Sequence, residues 1–353
     1  MNRNIITTLV IIGLIVGGVM VVSRRQSLPQ QAQELVTSFQ DELEQSTTGD
    51  LLSTLTNPLQ IEQMRQRQYP GSDITVERTL PAGSNYQQQV VSYQSDDLKI
   101  FALMTIPTGE KPEGGWPVIV FNHGYIPPAE YRTTEKYVSY VGGFARSGYI
   151  VFKSDYRGHG DSEGEPSGAY GSPDYTVDVL NAVASLKKHP DVNANKIGMW
   201  GHSMGGYITL RSMVISPDIK AGVIWGGVVA DYSQLLNSWR RRSPFPSPSP
   251  SASGNRRWRD MFVEQFGTPE ANPTFWDSIS ANAFVKDISG PVQIHHAKGD
   301  ESVPWEFSQH LADDLQQANK PVELFLYEGD DHNISRNFSQ AMQRSITFFD
   351  NHI

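Results

Sequence analysis

The chain contains no cysteine among its 353 residues. That excludes a disulfide framework, a lipidated cysteine, a thiol nucleophile and a cysteine metal site, and leaves the compartment open. Basic residues are also scarce: 29 Lys and Arg stand against 38 Asp and Glu, a formal net charge of −9. General nucleic-acid binders carry the opposite balance, so no nucleic-acid partner is expected. A glycine-rich stretch, Asp155 to Gly164, lacks the G-K-[ST] ending of a phosphate loop and is not G-x-G-x-x-G. No ligand cluster of the kind a zinc or iron hydrolase needs is present, and neither a metal nor a cofactor is expected. What remains, 38% hydrophobic and 19% charged, is ordinary globular composition, with length for one large α/β domain or two small ones.

Long apolar runs are absent except at the start. Ile5 to Val22 is 18 residues without a charge, flanked by Arg3 and by Arg24-Arg25. As a helix it rises roughly 27 Å, close to a hydrocarbon core of about 30 Å. An uncleaved single-pass anchor over residues 1–25 fits better than a cleaved signal segment, since only Val21-Val22-Ser23 resembles a cleavage site. A membrane location is therefore expected, with secretion after cleavage as the alternative. Residues 26–85 read as a Gln-rich polar spacer, and 86–353 as one large folded domain.

In that domain the periodicity predicts alternating strands and helices. Gln89–Tyr93 and Lys99–Ile106 read as a hairpin about Ser95-Asp96-Asp97. Continuous apolar runs at 118–121, 149–152, 197–200, 221–225, 292–296 and 322–327 read as buried strands. Helical patterns fall at 136–147, 176–188, 308–318 and 338–350. Such alternation means parallel βαβ units. Residues 230–283 break the rhythm with a Ser/Pro run from Ser243 to Ser253 between two arginine clusters, and read as a cap inserted over the site. The arginines read as a solvated face or as partners of nearby carboxylates.

The chemistry gathers at Gly201-His202-Ser203-Met204-Gly205, a G-x-S-x-G between the strand at 197–200 and a helix containing Ile208, Leu210 and Met213. Small residues at Gly201 and Gly205 suit a sharp turn that pushes the Ser203 hydroxyl clear of the backbone. A serine needs an imidazole to take its proton. Of nine histidines, His332 lies in the polar loop after the last strand, where the order Ser, acid, His puts the base. Asp300, in the corresponding loop after the preceding strand, is the acid expected to hold its tautomer. Asp330 and Asp331 are poorer candidates because chain neighbours rarely present a carboxylate to the ring. Asn122-His123-Gly124-Tyr125 follows the strand at 118–121, so the N–H groups of Tyr125 and Met204 are the expected oxyanion donors. His123 and Gly124 shape that turn, and the Tyr125 side chain adds a hydroxyl or walls the pocket. Asp155 and Arg157 hold the glycine-rich loop beside the site, with His159 part of that scaffold.

Taken together, Gly-His-Ser-Met-Gly-Gly at 201–206, Asn-His-Gly-Tyr at 122–125, Asp-Tyr-Arg-Gly-His-Gly at 155–160, Asp-Glu-Ser-Val-Pro at 300–304 and Asp-Asp-His at 330–332 resemble the catalytic domain of the prolyl oligopeptidase family. Dienelactone-hydrolase-type acyl hydrolases look similar. The resemblance covers about residues 87–350. It implies an α/β-hydrolase fold, a mostly parallel sheet flanked by helices, with Ser203, Asp300 and His332 as triad and His123-Gly124-Tyr125 as oxyanion turn. It also implies a small peptide or ester substrate. Full-size members of that family carry a β-propeller, and the spacer here is too short for repeated blades. A serine peptidase and a carboxylesterase both remain open. An inactive hydrolase fold serving as an envelope binding protein is the rival of another class, and it would require a broken triad.

Overall fold

A computed structural model describes residues 57–239 and 251–353, with side chains from 258 onward in the second stretch. The expected membrane segment at 5–22, the spacer up to residue 56 and the Ser/Pro run up to residue 250 lie outside the described residues. Among the described residues, no helix is long and apolar enough to cross a membrane.

The strands are β1 (Thr75–Leu80), β2 (Tyr86–Ser95), β3 (Leu98–Pro107), β4 (Trp116–Asn122), β5 (Ile150–Ser154), β6 (Val192–His202), β7 (Ala221–Trp225), β8 (Val292–Ala297) and β9 (Val322–Tyr327). They form one nine-stranded sheet in the order β1-β2-β3-β5-β4-β6-β7-β8-β9. Pairing is antiparallel from β1 through β3 and between β3 and β5, and parallel from β5 to β9. The expected hairpin is β2–β3. Its two-residue turn holds Asp96 and Asp97 at φ 51° and 64°, the doubly left-handed geometry that matches strand twist.

Both faces of the parallel part are covered, which is why its strands read as unbroken apolar runs. Val118 and Val120 of β4 enter one core while Ile119 and Phe121 enter the other, as a period of two demands. On the first face lie α1 (Ile61–Gln66), α3 (Asp174–Leu186), α4 (Met204–Ile215) and α8 (Glu306–Gln317). On the second lie α2 (Val138–Arg146) and α9 (Phe338–His352), centred on Trp200, which stacks on Phe121 at 4.3 Å. Between β7 and β8 come α5 (Tyr232–Asn237), α6 (Ser251–Phe266), α7 (Pro273–Ile279) and a 3₁₀ turn (Ala281–Asp287). From this insertion Trp239, Trp258, Phe262, Phe275 and Trp276 join the first core.

The domain boundary expected at residue 86 needs correction. Leu59, Ile61 and Met64 are buried in the first core, and β1 pairs with β2. The buried Arg211 guanidinium ties this segment down, donating to the Leu59 carbonyl and, over 2.6 Å, to the Ile279 carbonyl. The signal was missed because α1 has only six residues and β1 is an exposed edge strand, so neither carries a long apolar period.

Candidate active site

The parallel strands β4, β6, β8 and β9 deliver their following loops to one edge of the sheet, the carboxyl edge where ligands of such sheets collect. Ser203 follows β6 directly, at φ 56° and ψ −119°. No ordinary side chain adopts that conformation without strain, and strain of about 1–3 kcal/mol persists only where the surroundings fix it. Here the Ser203 N–H donates to the Trp225 carbonyl at 3.0 Å, and the Ser203 carbonyl accepts from Gly206 and Val228. The glycines of the motif are sterically required. A Cβ on Gly205 would sit 1.9 Å from the Asn122 carbonyl oxygen, and one on Gly201 2.2 Å from the Gly205 oxygen.

Asp300 lies three residues beyond β8, its side chain fully buried. All its acceptor positions are used. Oδ1 accepts the N–H groups of Ser302 (2.7 Å) and Val303 (2.9 Å), while Oδ2 accepts from His332 Nδ1 (2.6 Å) and His296 Nε2 (3.1 Å). Burial alone raises a carboxyl's pKa, but the bonds from His296 and His332 outweigh it and hold Asp300 ionised well below the usual carboxylate range. His332 thus has its Nδ1–H fixed on the carboxylate, leaving Nε2 as its free basic position. Its side chain is 20% exposed, consistent with a ring that meets a substrate.

The competing carboxylates turn elsewhere. Asp330 accepts from the backbone of Asp331, Arg336 and Asn337, and Asp331 from that of Asn333 and Ser335. They shape the loop that carries the imidazole.

On the other side of Ser203, His123 is fully buried, stacked between Tyr131 (4.6 Å) and Tyr156 (4.3 Å), with Nδ1 on the Gly124 carbonyl at 2.7 Å. Burial pushes its pKa well below the ordinary value, so the ring is neutral packing beneath the turn. The Tyr131 hydroxyl donates in turn to Asp155 at 2.7 Å, which links the glycine-rich loop to the same turn. His159 packs edge-on to Tyr131 and Tyr175. Arg157 donates to Asp178 and Asp96 and reaches Asp174. Gly124 presses on Ser203, since a Cβ there would stand 3.2 Å from the serine Cβ. Tyr125 follows, half-buried against the first core. Met204 opens α4, where N–H groups have no partner within the helix. The inserted segment touches the loop that carries Asp300 through Trp239, whose Nε1 donates to the Ser302 carbonyl at 2.9 Å. Arg259, from the arginine-rich stretch, lies over the rings of Trp239 and Trp258 at 5.7 and 5.4 Å.

Sequence reasoning passed over His296 as a strand histidine. It stands four residues before Asp300, donates to it and to the Val303 carbonyl, and takes its own Nδ1 partner from Ser308 at 2.7 Å. The spacing of four across a strand end was the only available signal.

This fold with these side chains defines a serine hydrolase of the α/β-hydrolase type. Comparison with known proteins agrees. Residues 117–247 match the model of the serine aminopeptidase family S33 and residues 252–353 that of the prolyl oligopeptidase family, so the family resemblance seen in the motifs holds. The chain is 24% identical over 276 residues to an uncharacterized peptidase, YtmA, of Bacillus subtilis, covering 78% of this chain and 97% of that one. It is 24% identical over 298 residues to a probable dipeptidyl-aminopeptidase B of Coccidioides posadasii, covering 80% of this chain but only 29% of that one. Among solved structures it superposes on Porphyromonas gingivalis dipeptidyl peptidase 4 with a TM-score of 0.56 at 21% identity, over 76% of this chain and 36% of that one. An acetyl xylan esterase from Paenibacillus sp. R4 gives 0.61 at 17% identity, over 81% and 91%. These structural likenesses speak for the fold.

Proposed function

We propose that this hydrolase cleaves short peptides through an acyl-enzyme on Ser203, with Asp300 and His332 completing the triad. One observation carries the reading: the His332–Asp300 bond of 2.6 Å, at the same sheet edge as a serine held at positive φ. Ser203 Oγ attacks the scissile carbonyl as His332 Nε2 takes its proton. The developing oxyanion is received by the N–H groups of Met204 and Tyr125. His332 then gives the proton to the leaving amine, the tetrahedral adduct collapses to the acyl-enzyme, and water enters by the same steps in reverse. Asp300 stays ionised throughout and stabilises the imidazolium. No cofactor takes part.

The peptide substrate rests on similarity to peptidases, and the esterase neighbour keeps a small ester as the second reading. The test is a panel of p-nitrophenyl esters and of aminoacyl- and prolyl-p-nitroanilides, run on the chain and on Ser203→Ala. Anilide cleavage lost in Ser203→Ala supports a peptidase; turnover of esters alone assigns a carboxylesterase. A single-pass anchor at 5–22 is proposed on its apolar composition. Alkaline carbonate extraction of the expressed full chain checks it, because a protein released into the supernatant is not anchored.

A further inference from the structure

The His202 between Gly201 and the nucleophile, and Tyr137 at the entrance of α2, belong to no part of the triad, yet they join two of its loops, those of Ser203 and His332, to the oxyanion turn. The Gly124 N–H, in the oxyanion turn, donates to the Tyr137 oxygen at 2.9 Å. The same hydroxyl is 2.8 Å from His202 Nδ1. The other ring nitrogen, Nε2, is 3.0 Å from the backbone carbonyl of His332. The carbonyl only accepts, so Nε2 carries the proton. His202 is buried beside His332, its ring centroid 4.6 Å away, and burial first, then the neighbouring His332, pushes its pKa down to about 3. A neutral ring with Nε2–H has Nδ1 as an acceptor. The direction of every bond is then set: Gly124 N–H to Tyr137, Tyr137 O–H to His202, His202 Nε2–H to His332 C=O.

The local backbone is bent to make this chain. Lys136 and Tyr137 both lie in the left-handed region, at φ 54° and 53°, where non-glycine residues are uncommon. Gly124 is packed so closely that a Cβ would fall 2.7 Å from the Tyr137 hydroxyl. We infer that Tyr137 and His202 are positioning residues, a directed hydrogen-bond chain that holds the oxyanion turn, the nucleophile elbow and the base loop at fixed separations. This rests on the triad assignment above. Each loop follows a different strand, and the sheet fixes strands better than loop tips. Misplacing reacting groups by about 1 Å costs on the order of a hundredfold in rate.

The test measures kcat and KM on p-nitrophenyl acetate for the full chain and for Tyr137→Phe, His202→Leu, His202→Gln and the double variant Tyr137→Phe/His202→Leu. Tyr137→Phe keeps the ring, which packs edge-on to Phe121 at 5.5 Å and Tyr140 at 5.3 Å. It is expected to fold and to lose kcat about ten- to a hundredfold at unchanged KM. His202→Gln retains a donor for the His332 carbonyl and recovers part of the loss seen in His202→Leu. Links in one chain are not additive, so the double variant falls no further than the worse single one. A Tyr137→Phe kcat within twofold of the parent overturns the inference. So does a double loss equal to the product of the single ones, or a loss expressed only in KM. If Tyr137→Phe does not fold, the glutamine and leucine variants at 202 decide: equal losses overturn it. Ser203→Ala in the same assay separates the levels. If it retains activity, the triad assignment has failed; if it is inactive while Tyr137→Phe matches the parent, only the positioning role has.

Discussion

Replacing Asp300 by Asn exchanges one oxygen for an NH₂, keeps two of its four hydrogen bonds and reverses the logic of the other two. Two of the four donors are backbone N–H groups, of Ser302 and Val303, and they cannot move without unfolding the turn. The amide must therefore give them its oxygen and point its NH₂ at His332 and His296. His332 then has to present Nδ1 as an acceptor, which puts its proton on Nε2, toward the substrate, where a base is needed. His296 faces the same NH₂ and loses either that contact or its bond to the Val303 carbonyl. In a Ser-His-Asp triad this exchange of tautomer costs about 10⁴-fold in kcat, or about 5 kcal/mol of transition-state stabilisation. KM should hardly move, because the substrate pocket is untouched. Losing the charge-assisted bonds should lower stability by about 1–3 kcal/mol. Steady-state hydrolysis of p-nitrophenyl acetate, with guanidinium unfolding as the control, reads both. An Asp300→Asn enzyme within tenfold of the parent, with Asp330→Asn costing more, would refute the assignment of the acid.

Three further outcomes follow from the geometry. Gly205→Ala puts a methyl into the Asn122 carbonyl, and soluble, folded protein should be lost; a normal melting curve would contradict the 1.9 Å approach. Arg157→Ala leaves the fully buried Asp178 carboxylate without its cation and should cost about 3–5 kcal/mol in guanidinium unfolding. A change below 1 kcal/mol would mean the pair is solvated. Asp155 is held up to about 6, mainly by burial, although Thr133 and Tyr131 donate to it. A raised folded pKa means the folded state binds the extra proton, so this group's contribution is full below about 3.9 and is lost as pH rises through about 6. The unfolding free energy of the parent minus that of Asp155→Asn should fall across this window, and a flat difference would contradict the sign.

Much of this fold is legible from the sequence because its central strands are covered on both faces. Runs such as Val118–Phe121 and Ala221–Trp225 are apolar without interruption and end in the loops that matter. The edges are less legible. The segment from Leu59 to Leu80 is held by Arg211, far along the chain, and by the pairing of the exposed edge strand β1 with β2, so local apolar pattern is silent there. The triad candidates were visible because strand ends and chain order narrow nine histidines to one. His296 was not, because it ends a buried strand run and only its spacing of four to Asp300 marks it, and neither were Tyr137 and His202, whose partners lie far off in sequence. Asp330 and Asp331 are already the poorer candidates as chain neighbours of His332, and the structure adds what the sequence could not show, that their carboxylates accept from their own loop.

The most direct measurement is fluorophosphonate labelling of the full chain followed by peptide mass spectrometry. A single adduct is expected on the peptide containing Ser203, abolished in Ser203→Ala and slowed in Asp300→Asn. Labelling at another serine, or an unlabelled Ser203 in folded protein, would contradict it.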